Sequence, residues 1–186
     1  MKAANLANGN SKDDRRESDF YPTPPEVTHA LMKFLKLDVS VVWEPACGDG
    51  HMSEVIKSYG HQVVSTDLRN TTYGNGGCDF LTTNLQCDAI ITNPPPFHIA
   101  DKFIEHAVPK AYTVAMLVKS QYWHAAKRIA LYRDLPPAYI LPLTWRPDFR
   151  FDQRVAGEKA NPLMDVMWVV WRWFETDAKY IPLARP

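Results

Sequence analysis

Short apolar runs alternate along this chain with segments whose apolar side chains recur at helical spacing, and no other feature limits its fold as strongly. Val41 to Trp43, Val63 to Thr66, Ala89 to Ile91 and Val114 to Val118 read as buried strands. Three amphipathic stripes fall around and between them. The first carries Val27, Ala30, Leu31, Phe34 and Leu35, the second Met52, Val55, Ile56 and Tyr59, and the third Ile99, Phe103, Ile104 and Ala107. Strands joined by helices need right-handed parallel crossovers, so the expected fold is α/β, a doubly wound and mostly parallel sheet with helices on both faces. A weaker strand is expected near Cys78 to Leu81, and a helix over 121–132. Tyr139 to Leu141 and Met167 to Trp173 supply two late strands that predict an antiparallel hairpin on one edge, with Trp168, Trp171 and Trp173 packed in the core. Thr23-Pro24-Pro25-Glu26 reads as a capping box at the start of the first helix, with proline at its first position.

A chain of 186 residues that is 46% apolar suffices for one core, and residues 19–186 are read as a single domain. Residues 1–18 hold balanced charge and almost no large apolar groups, which predicts a disordered tail. With 21 basic and 21 acidic side chains, no overall field draws the protein onto a polyanion, so any such contact is local. Cys47, Cys78 and Cys87 include no close pair, which argues against a disulfide framework or a four-cysteine zinc site. The start has no apolar export segment and no run is long enough to span a membrane, so a cytoplasmic protein is expected.

In a doubly wound sheet the ligand site lies beyond the carboxyl ends of the strands. Glu44-Pro45-Ala46-Cys47-Gly48-Asp49-Gly50 occupies that place after the first strand. Gly48 and Gly50 permit a tight turn and close approach to a ligand, although an ordinary strand-to-helix turn explains two glycines equally well. Asp67 ends the second strand 17 residues after Gly50, where a carboxylate accepts hydrogen bonds from ribose hydroxyls. Ser53 stands where a pyrophosphate-binding loop would place its third glycine. A nucleoside cofactor without pyrophosphate is therefore expected, S-adenosylmethionine being the common one.

The stretch Ile90-Ile91-Thr92-Asn93-Pro94-Pro95-Pro96-Phe97-His98 is the most informative. Three prolines stiffen the turn and remove three backbone donors, leaving rigid carbonyl acceptors. The Asn93 side-chain oxygen and the Pro94 carbonyl would take the two hydrogens of a planar exocyclic amine and encourage its delocalised lone pair to localise toward a methyl donor. Phe97 would stack on the flat face of a base. A proline-rich bend that merely caps a strand is the competing reading. His98 reads as a cap or surface residue, because such an amine needs no strong base.

These motifs together resemble the amino-methyltransferases of the Rossmann-like S-adenosylmethionine class. The match is closest to the small adenine-N6 DNA methyltransferases of bacteria, phages and mobile elements, and runs from Phe20 to about Trp173. Phe20-Tyr21-Pro22-Thr23-Pro24-Pro25 is similar to the family's N-terminal cofactor motif, and Glu44 through Gly50 to its glycine loop. Asp67 matches the ribose acid, and Cys78-Asp79-Phe80 the motif whose Asp touches the cofactor adenine. The resemblance thus implies cofactor contacts from Tyr21, Thr23, Glu44, Ala46, Gly48, Gly50, Asp67, Asp79 and Phe80, and no metal. Asn93-Pro94-Pro95 with Phe97 is similar to the catalytic Asn/Asp-Pro-Pro-aromatic tetrapeptide, but Pro96 separates the second proline from the aromatic. Either this insertion leaves Phe97 stacked on a flipped adenine, or it displaces the ring and weakens catalysis. The implied activity is methyl transfer to the N6 amine of adenine in DNA. Methylation of an RNA base or a protein glutamine amide, or a catalytically weak nucleic-acid-binding module that keeps the cofactor pocket, are the alternatives.

For nucleic acid, Lys119, Lys127, Arg128 and Arg133 form the most basic stretch, and Gln121, Tyr122 and Trp123 end the strand before it. Lys119, Trp123, Arg128 and, in the polar and aromatic loop after residue 144, Arg146 are the candidate contacts, although a solvated helix face explains each lysine as well. That loop leaves no room for a separate recognition domain, so sequence specificity would be short, relaxed or supplied by a homodimer partner.

Overall fold

The computed structural model describes residues 21–95, 99–155, 157–160 and 162–186. The expected tail at 1–18, Phe20 of the N-terminal motif, and Pro96, Phe97 and His98 lie outside the described residues. Within them, strands β1 (Val41–Glu44), β2 (Gln62–Ser65), β3 (Ala89–Thr92) and β4 (Thr113–Lys119) run parallel in the order β2-β1-β3-β4. They are linked by α2 (His51–Ser58) and α3 (Ala100–Ala107), with α1 (Pro25–Leu35) ahead of β1 and α4 (Ile129–Asp134) after β4.

Alternation along the strands divides the core in two, since successive side chains point to opposite faces. Val42, Ile91, Ala115, Leu117, Trp168 and Val170 pack under α1 and α2. Trp43, Ile90, Val114, Met116, Val169 and Trp171 pack under α3 and α4. Helices thus cover both faces of the sheet. The chain moves outward from β1 to β2 on one side and from β3 to β4 on the other, so the topological switch lies between β1 and β3. Their carboxyl ends, Glu44 and Thr92, open the crevice where ligands settle in such sheets.

The late strands do form an antiparallel hairpin. β6 (Val166–Arg172) lies between β4 and β5 (Tyr139–Pro142), antiparallel to both, and the short β7 (Lys179–Tyr180) is outermost, parallel to β5. Several details differ from the sequence expectation. Cys78 to Leu81 is a turn, not a strand, because the backbone after β2 loops back on itself. The Asp67 amide bonds the Asn75 carbonyl at 3.0 Å, and the Cys78 amide returns to the Asp67 carbonyl at 2.9 Å. Residues 120–134 break into two 3-10 turns and α4 instead of one helix. Trp173 and Tyr59 fall just past the ends of their elements and are exposed, unlike Trp168 and Trp171, which are buried. Finally, the cap position of α1 is Pro24 rather than Thr23. Without a hydroxyl at the cap position no capping box forms, and the Thr23 side chain is released to bond elsewhere.

Candidate active site

A cavity of about 450 Å³ lies over the β1/β3 switch, within the range of small-molecule and cofactor pockets. Three stretches distant in sequence meet there: Tyr21 and Thr23 before α1, Glu44 and Ala46 after β1, and Asn93, Pro94 and Pro95 after β3. Asp67 and Phe80 complete the wall from the loop after β2, and Lys119 from the end of β4. The sequence candidates that gather here therefore include most of the cofactor set and the described part of the catalytic turn.

Each is held in place by its neighbours. The Nδ2 of Asn93 donates to the Thr23 hydroxyl at 3.2 Å, across 70 residues of sequence, which leaves its Oδ1 as the amide's acceptor. Phe80 is buried against Trp43, with ring centroids 5.0 Å apart, and against Phe103 at 4.7 Å. Trp43 in turn bonds Thr66 through Nε1 at 3.0 Å. The hydroxyl of Ser53 donates to the carboxyl of Glu44 and lies 2.7 Å from that of Ser65. Burial pushes the pKa of Glu44 up to about 8, reinforced by the nearby charge of Asp67 and only partly opposed by Ser53. Glu44 is thus neutral at pH 7. Burial also raises the Cys47 thiol to about 12, which removes it as a nucleophile.

Asp67 is held differently. Its Oδ1 accepts from the Arg69 amide at 2.8 Å and Nε at 3.0 Å, and its Oδ2 from the Gly48 amide at 2.9 Å and Arg69 Nη2 at 3.1 Å. Burial opposes the charge, but these bonds from Arg69 and Gly48 outweigh it and hold the pKa below its usual 3.8. The Gly48 amide therefore anchors the loop to the ribose-acid candidate, while Cys47 and Asp49 face the cavity. Gly50 adopts φ +84°, and a Cβ there would sit 2.5 Å from the Tyr73 ring. Its glycine requirement thus arises from a turn packed on Tyr73, not from close approach to a ligand.

Other candidates lie outside the wall. The carboxylate of Asp79 closes its own turn on the Leu81 amide at 2.9 Å. Trp123 stands behind Tyr122 and against Tyr132. Arg128 is buried, stacked 4.1 Å over the Tyr122 ring, and bonds Asp101 at 2.8 Å and the Tyr122 carbonyl at 2.7 Å. That engagement takes it out of reach of a phosphate. Arg146 is half exposed and paired with Asp165 at 2.8 Å.

Tyr122, a strand-end residue expected near a nucleic acid, lines the wall with its hydroxyl bonded to Asp101. The wall also holds side chains that the sequence did not mark as site residues, and Met52 enters from α2. Phe149 and Met164 enter from the β5–β6 loop, which is stapled by Arg154 to Asp148 at 2.7 Å and to Glu158 at 2.9 Å. The loop's aromatic content was the one available signal. Among the described residues there is no group of three or more His, Cys, Asp or Glu side chains able to hold a metal, and no helix long and apolar enough to cross a membrane.

No protein-family model matches the chain, and no curated protein matches it. Solved structures do. It is similar to a putative RNA methyltransferase from Pyrococcus horikoshii (15% identity, 90% of this chain and 94% of the other, TM-score 0.63). It is also similar to a modification subunit of a putative type I restriction enzyme from Vibrio vulnificus (12%, 92% and 48%, TM-score 0.60). A third likeness is to a dimethyladenosine transferase from Plasmodium falciparum (13%, 82% and 62%, TM-score 0.56). At such identities the likeness is one of fold, and together with the observed strand order it establishes a Rossmann-like, doubly wound α/β architecture with an antiparallel hairpin.

Proposed function

We propose that this protein is a methyltransferase that uses S-adenosylmethionine to methylate the N6 amine of adenine in DNA. The observation that carries this reading is the position of Asn93 and Pro94. They stand at the carboxyl end of β3, in the wall of the cavity that Glu44, Ala46 and Asp67 also line. Further support comes from the fold likeness to proteins named as a putative RNA methyltransferase, a dimethyladenosine transferase and a modification subunit of a putative type I restriction enzyme.

Bound S-adenosylmethionine supplies a methyl group made electrophilic by its sulfonium sulfur. Asp67 would receive the ribose hydroxyls, and Phe80 and Tyr21 would give apolar and aromatic surface beside them. The Asn93 amide is oriented by Thr23 so that Oδ1 accepts one hydrogen of the target amine, while the Pro94 carbonyl accepts the other. With both hydrogens held by Asn93 and Pro94, the nitrogen lone pair would be localised on the amine. The cofactor, when bound, would supply its methyl group to that nitrogen with the sulfur leaving as a thioether, and the amine proton would leave to solvent. Phe97, as the resemblance implies, would stack on the extruded base and offset part of its unstacking. Lys119 in the cavity wall and Arg146, exchanging Asp165 for a phosphate, contact the nucleic-acid backbone.

An Asn93→Ala variant should bind S-adenosylhomocysteine like the wild type while its methyl transfer falls about 100-fold to 1000-fold, as for loss of one preorganised polar group. Full activity in that variant would refute the mechanism. An RNA base is the second reading, favoured by the likeness to the Pyrococcus protein over nearly its whole length. Transfer to RNA in preference to DNA would establish it.

A further inference from the structure

An ionised carboxylate offers about four lone-pair positions, and in Asp67 every one is taken. The Arg69 amide and Nε share Oδ1, while the Gly48 amide and Arg69 Nη2 share Oδ2, all within 2.8–3.1 Å. Two of the four donors are backbone amides that shape the loop. The other two belong to one guanidinium, about a third exposed and itself part of the cavity wall.

Resting on the cofactor reading above, we propose that Arg69 is an internal competitor for the ribose site. It occupies the two acceptor positions on Asp67 that the ribose hydroxyls require, so cofactor binding exchanges the Arg69 side chain for the ribose. The swap is balanced in hydrogen bonds, two for two, and leaves both backbone amides in place. Arg69 keeps the buried carboxylate satisfied when the pocket is empty, at the cost of some affinity when it fills. Its position two residues after Asp67 makes this geometry local, since the side chain folds back over its own turn.

Calorimetric titration of S-adenosylhomocysteine into the wild type, Arg69→Met and Arg69→Lys tests this. Methionine retains the apolar stem but cannot chelate, so the dissociation constant should fall about fivefold, the upper end for a partly exposed ion pair. Lysine, a single point charge, should fall between. Salt should tighten binding to the wild type by screening the pair and leave Arg69→Met unchanged. The gain should persist with 5′-methylthioadenosine, which keeps the ribose but lacks the amino-acid end. Equal or weaker binding by Arg69→Met, in a protein whose melting confirms that it folds, overturns the competitor and leaves the cofactor reading standing. Absence of binding by both proteins overturns the cofactor reading and this proposal together.

Discussion

Replacing Glu44 by Gln should make the protein more stable than the wild type, by an amount that grows with pH. Glu44 is 2% exposed, and its carboxyl ordinarily titrates at 4.5 but does so at about 8 in the folded state. Between those two values the folded chain holds a proton that the unfolded chain has released. By linkage, stability must therefore fall as pH rises across that window. At 1.36 kcal/mol per pH unit the full loss is roughly 5 kcal/mol, of which about 2.5 kcal/mol falls between pH 5 and pH 7. The latter figure is governed by the lower, unfolded value and hardly changes if the upper one shifts by one unit. Gln is nearly isosteric with the protonated acid and keeps the contact with Ser53, so its contribution is independent of pH. Urea unfolding of both proteins from pH 5 to 9 gives the difference directly, and other groups common to both cancel. A difference that stays flat within about 0.5 kcal/mol would refute the assignment of Glu44 as a neutral, buried acid.

Gly50→Ala should cost about 2–4 kcal/mol, from a left-handed backbone and a methyl forced onto the Tyr73 ring, and lower Tm by roughly 5–15 °C. Adding Tyr73→Ala should recover the steric part only, which thermal melting of the double variant checks. Arg128→Met should destabilise by about 2–3 kcal/mol by removing the buried cation beside Asp101, which keeps only the Tyr122 hydroxyl and the more distant Lys127. If instead it reduced the salt slope of nucleic-acid binding by about one and left the melting point unchanged, Arg128 would be a phosphate contact after all.

How far the sequence revealed this molecule depended on how local each determinant was. The four parallel strands and three main helices follow from periodicity, because a buried strand or an amphipathic stripe is written in neighbouring residues. The place of Asn93 at the end of β3 was legible for the same reason, since it directly follows a buried apolar run. Long-range partners were not. Thr23 reads as a helix cap until the fold brings Asn93 to it, and Arg128 reads as a surface cation until Asp101 and Tyr122 enclose it. Cys78 to Leu81 carries strand-like composition, yet Asp67 uses its backbone to turn the chain back. β7, two exposed residues long, has no apolar pattern to betray it. Phe149 and Met164 reach the cavity from a loop whose path is set by ion pairs among Asp148, Arg154 and Glu158, which no spacing rule anticipates.

Amine methylation on DNA adenine is tested most directly by transfer of a labelled methyl group. Incubation with methyl-tritiated S-adenosylmethionine and, separately, DNA, RNA and protein, followed by digestion and nucleoside separation, should place the label in N6-methyldeoxyadenosine. The Asn93→Ala variant should reduce that label at least about 100-fold. Label absent from N6-methyldeoxyadenosine, with wild-type protein that binds S-adenosylhomocysteine, would contradict the account.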